Sequence, residues 1–179
     1  HGTFALHMIP SGVFNPETTC IVGAGTVVNP DNVLEEMKLL TDAGLGLDNL
    51  LFDRRAHIVL PYHPVLDALA EAARTGKHVM GTTKRGIGPT YADKAARTGL
   101  RLGDLLNPAH LRERLESTLP ARNRTLQEHG AEPADLEELL ARCAAWREAM
   151  GDRIVDTLPI VRDAVRKNQR VLLEGQLGV

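Results

Sequence analysis

The chain has 179 residues, enough for one domain with a sizeable core and too few to demand two. Its composition, 43% hydrophobic and 25% charged, is that of an ordinary globular protein, and the 3% aromatic share leaves the core to Leu, Val, Ile, Ala and Met. A formal net charge of −2 argues against nucleic-acid binding, no apolar run approaches a membrane span, and the two distant cysteines, Cys20 and Cys143, suit a reducing compartment, so cytoplasm is expected.

In chain order, residues 4–9 read as a strand running into the turn Pro10-Ser11-Gly12, and residues 19–28 as β-branched, glycine-punctuated strand. Asn29-Pro30 signals a helix, with Asn as N-cap, Pro in the first turn, Val33, Met37 and Leu40 on the apolar face, and Gly44 as the stop. Leu50–Asp53 and residues 56–60 read as short strands, with Asp53-Arg54-Arg55 a charged turn between them. Pro64 is expected to open a second helix, with Val65, Leu66, Leu69, Ala70 and Ala73 inward and Gly76 closing it. His78-Val79-Met80 reads as a short strand feeding a loop at Gly81, and a helix is expected from near Thr90 to Gly99. Asn107-Pro108 repeats the helix-start signal before a Leu111, Leu115, Leu119 stripe, and Leu136, Leu139, Leu140, Cys143, Trp146 and Met150 form a second 3.6-period face. A last helix holding Ile154, Leu158, Val161 and Val165, with Pro159 as kink or true start, precedes a buried strand over 171–176. Strand–helix alternation with a helical insert over about 104–150 predicts an α/β fold. Both ends read as interrupted elements, so residues 1–179 are expected to form one incomplete domain.

Chemistry concentrates in Gly81-Thr82-Thr83-Lys84-Arg85-Gly86-Ile87-Gly88-Pro89. Three glycines allow backbone amides to approach an anion, and two threonine hydroxyls add donors. Downstream, Lys94, Arg97 and Arg101 follow at spacings of three and four, which would place them on one helical face. From Thr82 to Gly103 there are five basic residues and one acidic residue, a positive patch in a negatively charged chain. Guanidinium groups suit phosphate because they donate paired, charge-assisted hydrogen bonds, each contributing roughly 1.5–3 kcal/mol when shielded from water. The spacing matches neither a Walker loop nor a dinucleotide fingerprint, so a glycine-rich turn before a solvated basic helix is the competing reading. His7, His57 and His63 fit no zinc spacing and read as structural or surface histidines, so no metal ligand is assigned.

The run Gly81-Thr82-Thr83-x-Arg85-Gly86-Ile87-Gly88-Pro89-x-Tyr91-x-Asp93-Lys94-x-Ala96-Arg97-x-Gly99-Leu100-Arg101 closely resembles the adenylosuccinate synthetase family. Leu6-His7-Met8-Ile9-Pro10-Ser11-Gly12, Gly103-Asp104-Leu105 and Leu173-Glu174-Gly175 fall in the family's order, so the resemblance covers the whole chain. It implies a mostly parallel-sheet, P-loop-like ligase fold. It also implies GTP-dependent joining of inosine monophosphate (IMP) and L-aspartate, with Mg2+ bridging the GTP phosphates and a homodimer sharing its active sites. By position, Thr83 resembles the threonine that binds the IMP 5′-phosphate, and Arg97 the arginine offered to the partner subunit's IMP. Arg85, Lys94 and Arg101 are implied as supporting basic residues.

Two departures stand out. Many members read Glu-Gly-Ala-Gln-Gly where this chain has Glu174-Gly175-Gln176-Leu177-Gly178, so either Gln176 serves from a shifted loop or Leu177 takes the nucleotide-contacting position. Lys84 stands where glycine is common. The resemblance further implies that the Gly-Asp-Glu-Gly-Lys-Gly-Lys loop, with the catalytic aspartate and histidine, lies before His1, and the guanine and aspartate loops after Val179. This segment by itself is therefore expected to hold no catalytic residue and to be inactive, the alternative being a phosphate-binding module without catalysis.

Overall fold

A computed structural model of the chain describes residues 3–76 and 81–175. Its centre is a three-stranded parallel sheet in the order β1 (Cys20–Val22), β3 (Leu50–Asp53), β5 (Ile154–Val155). Beside it β2 (Val27–Val28) pairs in parallel with β4 (His57–Ile58). Strands whose partners lie this far along the chain need crossovers, and helices supply them. The α/β class with parallel sheets is thus the one the sequence predicts.

The first crossover is α1 (Pro30–Asp42), and its start is as expected: the Asn29 side chain accepts from the amides of Asp31 and Asn32, with Pro30 in the first turn. Val33 and Leu40 face the core. Glu36, on the same side, is also buried and accepts from three consecutive amides, those of His7 (2.8 Å), Met8 (3.1 Å) and Ile9 (3.0 Å). This carboxylate corrects the expected strand over residues 4–9: the amides that would enter a ladder are taken by a side chain, and no strand forms there. At the carboxyl end of β3, Asp53 is fully buried. It accepts from Arg55 Nε at 2.9 Å and from the hydroxyl of Thr157, clasping the exits of β3 and β5.

The remaining helices are α2 (Tyr62–Ala72), α3 (Ile87–Ala96), α4 (Pro108–Glu128), α5 (Leu136–Met150) and α6 (Leu158–Arg166). The insert forms as the sequence predicts. Leu111, Leu115 and Leu119 of α4 and Leu139, Cys143, Trp146 and Met150 of α5 are buried against one another and the sheet, and Trp146 Nε1 donates to Asp31 Oδ1 of α1 at 2.6 Å. Burial pushes the Cys143 thiol up to about 12, in keeping with a packing role.

Three expectations need correction. Ile154 lies in β5, and Pro159 marks the start of α6. Residues 171–175 form no strand: Leu172 and Leu173 are 89% and 88% exposed, with no neighbouring strand to receive them among the described residues. α2 begins two residues before Pro64, and only part of its expected inward face is inward: Leu66 and Leu69 pack against the core, while Ala70 and Ala73 are exposed. Val65 is 41% exposed, whereas His63, Asp67 and Glu71 are buried.

Candidate functional site

Positions 63, 67 and 71 recur every fourth residue and so share one face of α2. That polar face meets the loop 81–86. Glu71 Oε1 accepts from the Gly81 amide at 2.6 Å, and Asp67 Oδ2 from the Gly86 amide at 3.0 Å. Glu71 also takes Arg74 at 3.0 Å. The Gly81 amide, foremost, holds the Glu71 carboxyl below the ordinary carboxylate value; burial opposes this and Arg74 reinforces it. Between the two tethers Thr83, Lys84 and Arg85 are exposed, while the Thr82 hydroxyl is buried without a protein partner.

Gly86 is required twice over. Its φ is +77°, and a Cβ there would lie 2.7 Å from both the His63 carbonyl carbon and the Pro64 nitrogen. The chain then enters α3 directly at Ile87, three residues earlier than the sequence suggests. Pro89 falls in the first helical turn, where an amide has no intrahelical acceptor anyway, so its missing N–H costs nothing there. Thr90 closes the turn, its hydroxyl donating to the Gly86 carbonyl at 2.7 Å.

A buried polar chain backs the loop and α3. The Leu60 amide donates to His63 Nδ1 at 2.8 Å, which leaves the imidazole proton on Nε2, and Nε2 donates to Asp93 Oδ2 at 3.0 Å. The other Asp93 oxygen accepts from Arg122 of α4, which also reaches the Thr98 hydroxyl at 3.1 Å. Three helices are thereby joined through one carboxylate. Burial, with Arg101 next in weight, holds the nearby His57 imidazole below its usual value.

The basic residues do not form the single helical face that their spacing suggests. α3 ends at Ala96, and Arg97 turns the chain with left-handed backbone, φ +62°. Arg101 lies in extended backbone bridged to His57. Lys94 remains on α3 with its ammonium 5.5 Å from the centroid of the Tyr91 ring, a cation–π contact. Tyr91 in turn donates to the Gly25 carbonyl at 3.0 Å. Arg85, Arg97 and Arg101 are all exposed, and the loop apex, Lys84, is likewise left-handed at φ +54°. The expected strand over 78–80 and the candidate Gln176 lie outside the described residues. Among the described residues, no group of three or more His, Cys, Asp or Glu side chains could hold a metal ion, so no step involving Mg2+ is derived from this chain.

Asp67, Glu71 and Arg122 are neighbours of the candidate site that the sequence does not single out, and Asp93 stands in the motif with no role assigned to it. The i, i+4 spacing of His63, Asp67 and Glu71 is the signal that could have found the two acids, but charged residues at helical spacing ordinarily mark a solvated face.

Parallel strands, helical crossovers and a glycine-rich basic loop opening a helix define an α/β protein that presents exposed cations at a helix start. The adenylosuccinate synthetase family model matches residues 1–179. The chain belongs to the adenylosuccinate synthetase family. It is 44% identical over 179 residues to adenylosuccinate synthetase 1 of Methanosarcina acetivorans, covering 100% of this chain and 42% of that protein. It is also 44% identical over 178 residues to the Dehalococcoides mccartyi adenylosuccinate synthetase, covering 99% and 42%. The fully ligated adenylosuccinate synthetase structure from Plasmodium falciparum superposes with a TM-score of 0.83 at 30% identity, over 96% of this chain and 40% of that one. The chain therefore spans about two fifths of the length of these relatives.

Proposed function

We propose that the protein carrying this chain is a cytoplasmic, homodimeric ligase that joins IMP to L-aspartate at the expense of GTP, with Mg2+, on the route to AMP. In this reading residues 1–179 are one incomplete domain that supplies part of the IMP site and of the dimer contact, and no catalytic group. The observation that carries the proposal is the 81–97 segment, in which an exposed threonine and exposed cations are presented on a loop tethered at both ends. Thr83 would donate its hydroxyl to the IMP 5′-phosphate, and Arg85, Lys94 and Arg101 would add positive charge around it. Arg97, at the exposed end of α3, would reach the IMP of the partner subunit. At the nucleotide-contacting place either Gln176 would serve, one position early, or Leu177 would stand there without that hydrogen bond.

Calorimetric titration of the full-length protein with IMP tests the site, and Arg97→Leu should abolish most of the heat. Heat unaffected by Arg97→Leu would overturn the assignment. Mixing Arg97→Leu subunits with subunits disabled in the phosphate loop should restore part of the activity through one intact hybrid site. No recovery despite proven subunit exchange would refute the role across the interface.

A further inference from the structure

The acidic face of α2 is unusual for its position. Asp67 and Glu71 are 7% and 8% exposed, yet they lie directly behind a loop whose exposed side chains are cationic. Carboxylates so placed would repel a phosphate dianion, and a neutral acceptor could satisfy a backbone amide without that repulsion. What these groups accomplish is visible in their bonds. Each accepts one loop amide, Glu71 that of Gly81 and Asp67 that of Gly86, so the two ends of a six-residue arch are fixed to adjacent turns of one helix. Charge-assisted amide bonds are shorter and stronger than neutral ones, and the 2.6 Å contact at Gly81 is of that kind. The helix itself is joined by His63, through Asp93 of α3, to Arg122 of α4.

The arch between these anchors contains the Thr82 hydroxyl, buried and without a protein partner, and the exposed Thr83, Lys84 and Arg85. Lys84 is held in left-handed backbone, a conformation that an unrestrained lysine seldom keeps. Fixing both ends lowers the ordering entropy that a phosphate would otherwise have to offset on binding.

We propose that Asp67 and Glu71 are positioning residues for phosphate recognition, two amide acceptors that preorganise the 81–86 arch; the inference rests on the reading of that arch as the IMP phosphate site. The bracing orders the loop around the phosphate in the ground and transition states alike, which is uniform binding. Losing it should raise KM for IMP and leave kcat nearly unchanged.

The test uses the full-length protein with Asp67→Ala, Glu71→Ala and the isosteric Asp67→Asn and Glu71→Gln, each checked by thermal unfolding. The alanine variants should raise both the calorimetric Kd for IMP and its KM about tenfold, the size expected from one lost charge-assisted bond. The isosteres, which keep an acceptor and remove the repulsion, should recover most of that loss. Amide hydrogen exchange at Gly81 and Gly86 should quicken in the alanine variants and return towards wild type in the isosteres. Wild-type affinity in both alanine variants would overturn the proposal, as would isosteres as weak as the alanines or a fall confined to kcat. Thr83→Ala separates this from the parent reading: if IMP binds wild type and Thr83→Ala with equal affinity, the site assignment fails first.

Discussion

The α4–α5 pair and the α2–α3 pair are both packed helix pairs, yet they are held by different chemistry. Between α4 and α5 the inward residues are Leu111, Leu115, Leu119, Leu139, Cys143, Trp146 and Met150. In α2 and α3 the buried residues are Tyr62, His63, Asp67, Glu71, Thr90 and Asp93, all but Tyr62 polar or charged in character. Apolar packing is non-directional and tolerates small shifts, whereas carboxylates binding specific amides fix where each donor lies. The first pair stabilises the domain; the second shapes a loop. Glu36, which gathers the amides of His7, Met8 and Ile9, applies the same device on α1.

The largest expected effect is on the apolar side. Trp146 is 2% exposed, and its indole also reaches Asp31, so Trp146→Ala should lower unfolding free energy by about 3–5 kcal/mol in urea denaturation. A loss below about 1 kcal/mol would show that the insert is not held by its core. Next in size is Gly86→Ala. Left-handed backbone costs about 1–2 kcal/mol for a side-chain residue, and the added methyl must displace the start of α2. Its stability loss should be smaller than that of Trp146→Ala, while its IMP affinity should fall at least tenfold; the reverse ranking would erase the contrast between the regions.

The smallest effect is an acid titration. Because the Glu71 carboxyl is depressed in the folded chain, its bond to Gly81 is fully present above the unfolded value of about 4.3 and is lost as pH falls through the folded value. The Gly81 amide resonance should therefore move in the acid range while the Leu139 amide in α5 stays still. Parallel movement of both would mean global unfolding in place of local release.

The same contrast explains what could be read from the sequence. The insert was legible because its helices obey the apolar period throughout, and α1 because Asn29-Pro30 is a local signal that packing reinforces. β1 and β2 are legible from β-branched content, whereas β5 reads as part of a helix and the amides held by Glu36 read as a strand, because a side chain competing with a ladder leaves no periodic trace. In α2 the apolar stripe identifies Leu66 and Leu69 as inward but gives no sign that Asp67 and Glu71 are buried beside them, because their partners are amides of a loop distant in sequence. The loop itself was legible from composition and motif. Its geometry was not, since the early start of α3 depends on Gly86 fitting against His63 and Pro64, a contact between distant positions. The shared face of Lys94, Arg97 and Arg101 failed for a related reason: helical spacing was extended past a residue that ends the helix.

That residue has a consequence for anyone wishing to make the protein sturdier. Arg97 occupies the left-handed position just past α3, where glycine is the residue that sits without strain. An optimisation guided by stability alone would replace it. Arg97→Gly should raise the unfolding free energy by about 0.5 kcal/mol, the relief of strain less the added chain entropy. The same change would remove the cation proposed to reach across to a second subunit. Robustness and shared chemistry are thus opposed at a single backbone position.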